Sequence, residues 1–192
     1  MYAYAANNPV RYIDPDGREV TEEDIARKML YEAASFIIKN AETPEELVVA
    51  TTVKEMMNNK KVQLDNILER LGKEDILAYY DHGRNTVTGK TRDIIVLDIG
   101  NIVDKKMPYL IDTLTHEAAH ASHYHLGHHN NRVAEDINCF DIGLNMSNKY
   151  RKMNNEKVIF EYYSDTLKKR IIEIYEKKYG VEYAPTDFME LK

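Results

Sequence analysis

The chain has 192 residues, a net charge of −6, 43% hydrophobic and 30% charged residues, and 1 cysteine. Such a composition fits a globular domain with one core, and it excludes an intrachain disulfide or a cysteine-based metal site. The acidic balance argues against nucleic acid as the main partner, and no apolar run approaches the roughly 20 residues that span a bilayer.

The chain opens with a short aromatic, strand-like run, Met1 to Gly17, punctuated by Asn8-Pro9 and Asp14-Pro15-Asp16-Gly17. Thr21 followed by Asp24 predicts a capping box, and Ile25, Met29, Ala33, Phe36 and Ile37 then keep helical spacing to Asn40. Thr43-Pro44-Glu45-Glu46 opens a second helix that ends in Asn58-Asn59. A short third helix is expected over 62–71, stopped by Gly72. The period then changes: 76–80 and 93–99 read as strands joined by a turn-rich connection over 81–90. A helix from Met107 to Gly127 follows, another runs from Arg132 to about Asn148, and a last one from about Asn155 to Tyr179. Helices, a small antiparallel sheet and a helix packed beneath it make an α+β fold. The strand 93–99 is the expected sheet edge, where an extended peptide can add as a further strand.

The helix over 107–127 carries His116-Glu117-Ala118-Ala119-His120, an H-E-x-x-H pattern. At 3.6 residues per turn, His116 and His120 project from one face with converging imidazoles, which is the two-nitrogen half of a zinc site. Glu117 lies about 100° round the helix, beside a metal and not on it, where it can take a proton from water. Leu110, Ile111, Leu114, Ala118 and Ala121 form the apolar stripe that should bury the other side.

A catalytic zinc takes three protein ligands and an open position, so a third ligand is needed. The downstream groups are His123, His125, His128, His129, Glu135, Asp136 and Glu161. His123 would have to bend back along its own helix axis. His128 and His129 follow Gly127, a helix stop, and can fold back. Glu161 is preferred, because Glu161 and Asp165 share one face of a later, otherwise apolar helix. Glu161 would bind the metal while Asp165 accepts the ring N–H of a ligating His.

H-E-x-x-H followed by E-x-x-S-D on a later helix resembles the gluzincins, the thermolysin-like branch of the zinc metallopeptidases. The resemblance covers two helices and implies a zincin-like fold, Zn2+ on His116, His120 and Glu161, Glu117 as catalytic base, and Asp165 orienting a ligand His. The interval between His120 and Glu161 is longer than that family's compact spacing. Its transition-state-stabilising His or Tyr is matched to no one position, with His82 and several of the 14 Tyr as candidates. Residues 1–17 resemble the end of the Rhs/YD-repeat core, in which a conserved shell is followed by a variable effector. That resemblance implies that 18–192 is a toxin-like metallopeptidase domain, exported within a larger bacterial precursor, although no signal peptide opens the chain. It also implies a protein or peptide substrate and an immunity protein as partners.

Two rival functions come from other classes. His128-His129-Asn130-Asn131 suggests a metal-dependent nuclease of the His-Asn-His type, which needs a hairpin leading into the His and a magnesium-like site. The other rival is a binding module with a structural zinc, which needs four protein ligands and no open position.

Overall fold

A computed structural model describes residues 20–67, 78–83, 91–127 and 132–159. The helices begin where the sequence caps them. α1 (Glu22–Asn40) starts at Thr21, whose hydroxyl accepts from Asp24 N while Asp24 reaches back to Thr21 N at 3.0 Å, satisfying two donors that open a helix. α2 (Pro44–Asn58) repeats the device with Thr43 and Glu46, and Pro44 occupies its first turn.

Chain order departs from expectation immediately after α2. Residues 62–71 were expected to be helical, yet β1 spans Val62–Asp65. Val62-Gln63-Leu64-Asp65 is too short to show a period, and its partner is distant in sequence: β1 pairs in parallel with Ile95 to Asp98. β2 (Ala78–Asp81) and β3 (Ile94–Asp98) occupy the two predicted strand regions and pair antiparallel, so the sheet is mixed and ordered β1-β3-β2. β3 is therefore the central strand and not the predicted edge. Its run of buried Ile95, Val96 and Leu97 suits a strand flanked on both sides. Among the described residues, the edge nearest the motif helix is β2.

α3 (Ile99–Asp104) is capped by Asp98 and leads into α4 (Met107–His125), the predicted motif helix. α4 ends at Gly127, whose φ of 75° is the left-handed conformation that closes a helix. Leu110, Ile111, Leu114, Ala118 and Ala121 are all buried, as their spacing requires. α5 (Arg132–Met153) folds back against α4, and among the described residues these two helices pack together most extensively. The core joins this seam to Ala26, Leu30, Ala33 and Ile37 of α1 and Val49, Val53 and Met56 of α2.

The helix expected from about Asn155 does not begin there: residues 154–155 form a turn and 156–159 have no regular structure. Its continuation, with Glu161 and Asp165, lies outside the described residues, as do 1–17 and His128 to Asn131.

Candidate metal centre

An αα-hairpin pairs residues equidistant from its turn, and the seam of α4 and α5 follows that rule. His116 packs on the Phe140 ring at 4.2 Å between centroids, and His120 meets Asp136. Two residues one helical turn apart on α4 thus face the second and third turns of α5.

His116, His120 and Asp136 bring three donor atoms to one point. The two His Nε2 atoms stand 3.1 Å apart, Asp136 Oδ1 is 2.9 Å from His120 Nε2, and it is 3.8 Å from His116 Nε2. Tetrahedral ligands about 2.0–2.1 Å from a zinc ion stand about 3.3 Å apart, so this triangle has the size the ion requires. Two imidazoles and a carboxylate are a donor set that first-row divalent ions take, and among the described residues these three are the groups that meet there. Side-chain exposures of 13% for His116, 22% for His120 and 19% for Asp136 make the cluster part-buried.

The surrounding groups orient this set. Glu135 Oε1 lies 3.1 Å from His120 Nδ1, so it accepts the ring N–H and leaves Nε2 facing the centre. Burial alone would lower the His120 pKa; hydrogen bonds to Asp136, Cys139 and Glu135 outweigh it and raise it. His116 moves the other way, to about 3, because burial and the His120 charge both disfavour its protonation and Asp136 only partly compensates. A neutral imidazole with its lone pair free is the metal-binding form. His116 Nδ1 is buried with no hydrogen-bond partner among the described residues.

Glu117 is buried beside the triangle, and burial pushes its carboxyl up to about 7 against the pull of His120 and a hydrogen bond from the Tyr80 backbone N–H. That hydrogen bond defines the sheet edge. Ile95 N–H donates to Lys61 O on the β1 side, at 2.9 Å, so Ile95 and Tyr80 form a non-hydrogen-bonded pair between β3 and β2. The Tyr80 N–H and C=O therefore point away from β3, toward Glu117.

The structure sorts the predicted site residues plainly. His116, Glu117 and His120 come together as the spacing required. His123 is turned to Asn138, with its Nε2 at 3.3 Å, and to Cys139. His125 Nε2 meets Asp93 at 2.9 Å, alongside Lys61 and the Tyr80 hydroxyl. Asp136 enters the triangle, and Glu135 does for His120 what was expected of Asp165. Both lie one residue apart in the first turns of the helix after Gly127. The short connection there carries the signal that could have found them, since it forces α5 back along the His face of α4.

Comparisons with known proteins return no match: neither a family model, nor a curated protein, nor a solved structure matches the chain.

Proposed function

We propose that this protein is a zinc-dependent endopeptidase with the ion held by His116, His120 and Asp136 and with Glu117 as general base. The observation that carries this reading is the Nε2, Nε2, Oδ1 triangle with a buried carboxyl at its side. Asp136 is preferred to Glu161 as third ligand because its oxygen already lies within 3.8 Å of both imidazole nitrogens. The resemblance of residues 1–17 to the Rhs core end supports an effector that cleaves a target protein and is held in check by an immunity partner.

Zinc, when bound, supplies a Lewis acid that polarises a substrate carbonyl and brings the pKa of a water to about 7. The chain's own groups do the rest. Glu117 takes a proton from the attacking water and delivers it to the leaving amine nitrogen. A carboxyl pushed up to about 7 can both accept and return that proton near neutral pH. The Tyr80 N–H fixes the Glu117 carboxylate, and Glu135 fixes the His120 tautomer. An extended peptide laid along the outer edge of β2 would bring its main chain past Glu117.

Metal analysis and a protein-digestion assay test the reading together. Wild-type protein and Glu117→Gln should each bind one zinc, with cleavage by the variant lower by about 10²–10⁴-fold. Asp136→Ala should lose zinc and Glu161→Ala should keep it. Undiminished proteolysis by Glu117→Gln, or zinc retained by His120→Ala, overturns the assignment.

A further inference from the structure

We infer that His82 and Tyr124 form a side-chain subsite that selects an aromatic residue of the peptide; this deepens the peptidase reading and rests on it. Tyr80 of β2 and His82, just past its end, both turn their rings to Tyr124 of α4. The His82 ring stands 5.4 Å from Tyr80, stacked at 22°, and 4.6 Å from the Tyr124 ring of α4. Tyr124 lies one helical turn beyond His120 on the same face. His82 is exposed and Tyr124 half-buried, so a further ring can reach this imidazole–phenol platform from its imidazole side.

The platform is continuous with the proposed centre. Tyr80 contributes its backbone N–H to Glu117 and its ring to the His82 stack. A peptide strand set along the outer edge of β2 places alternate side chains on the α4 face, in register with Tyr80 and His82. The residue beside His82 then lies over His82 and Tyr124.

The chemistry of the surroundings chooses an uncharged aromatic occupant over a cation. The two nearby acids are already matched: Asp81 pairs with Arg92 at 3.1 Å, and Asp93 with Lys61 and His125. Among the described residues, neither of these carboxylates is left free to draw a lysine or arginine. Ring faces and edges remain, and these favour another ring in offset or edge-on packing.

The test uses the zinc-loaded full chain carrying Glu117→Gln, which leaves peptides intact. Terminally blocked Ala/Ser octapeptides with one Phe moved through successive positions are titrated by calorimetry, with Lys in place of Phe as the control. One Phe position should tighten binding by about tenfold over the all-Ala/Ser peptide. His82→Ala should abolish that preference without changing zinc content, and Tyr124→Leu should weaken it. No binding by any peptide, equal binding at every position, a Lys preference, or a Phe preference that survives both substitutions overturns the subsite. If the preference appears while wild-type enzyme cleaves none of the peptides, the subsite stands and the peptidase reading fails.

Discussion

Two buried polar clusters touch α5, and they are built on opposite principles. Near its C-terminal half, Glu46 accepts from Glu42 N at 2.8 Å, Thr43 N at 3.1 Å and Lys149 Nζ at 2.6 Å. Lys149 completes its three donors on Asn40 O at 3.0 Å and Glu42 Oε2 at 2.9 Å. Every group there has a partner within the chain, and the cluster closes α2 onto α5. Near the N-terminal half, two ring nitrogens face each other 3.1 Å apart, a carboxylate oxygen joins them, and His116 Nδ1 has no partner among the described residues. The first cluster is complete as it stands; the second has the donor set of a site that a cation completes. Internal satisfaction marks the structural cluster, and convergence of three metal-ligating atoms marks the candidate metal site.

Breaking the complete cluster should cost the most. Lys149→Met strands the buried Glu46 carboxylate and should lower the unfolding free energy by about 3 kcal/mol in urea denaturation. Asp136→Ala, measured without metal, should cost only about 1 kcal/mol, the worth of one hydrogen bond. The reverse order would sink the comparison. Zinc sharpens it further: at about 100 times the dissociation constant the ion should add about 2.7 kcal/mol to wild type. Thermal denaturation should find the same gain in Lys149→Met, because the clusters are separate, and none in Asp136→Ala.

This division also explains what the sequence made legible. The capping boxes at Thr21 and Thr43, the apolar stripe of α4 and the convergence of His116 and His120 are all local, written within one or two helical turns. β1 was misread because the Val62-Gln63-Leu64-Asp65 alternation is only four residues long, and parallel pairing with β3 is a non-local event. The same reason moved the sheet edge from β3 to β2. The third donor turned on hairpin geometry. Asp136 stands as far after position 128 as His120 stands before it, while Glu161, read from the chemistry of its own helix, lies outside the described residues. A carboxylate pair on one helix face says that an acid site is possible; only the partner helix says which pair meets the imidazoles. Cys139 and His123 show the converse, since their contact across the seam leaves no mark in either local pattern.

The close approach of α4 and α5, which brings the candidate metal ligands together, depends on Gly143. A Cβ there would fall 2.8 Å from the Asp112 backbone oxygen, besides striking its carboxylate. Gly143→Ala gains helix propensity of about 1 kcal/mol, yet the clash should leave a net loss of about 1–2 kcal/mol by forcing α5 outward. Zinc affinity should fall with it, because Asp136 rides on the same helix. Unchanged affinity would show that the triangle tolerates a wider seam.

A last test contrasts Glu46 with Asp112 by pH. Glu46 sits below its ordinary value of 4.5: burial would raise it, but Lys149 and two backbone N–H groups hold it down. Its stabilisation is therefore fully present above pH 4.5 and is lost as pH falls through the lower folded value. Asp112, one turn before His116, goes the other way, because burial pushes it from 3.8 up to about 7 and the Arg151 charge only partly opposes this. Between those values the folded chain holds a proton that the unfolded chain has released, so stability falls as pH rises from about 4 to 7. Asp112→Asn should flatten that decline, leaving the melting temperature close to wild type at pH 4 and higher than wild type at pH 8. The acid-side loss assigned to Glu46 should persist in the variant. A variant that melts below wild type at pH 8 would mean that the charged Asp112 is held by the seam, and that the polar half of α4 and α5 is better satisfied than its geometry implies.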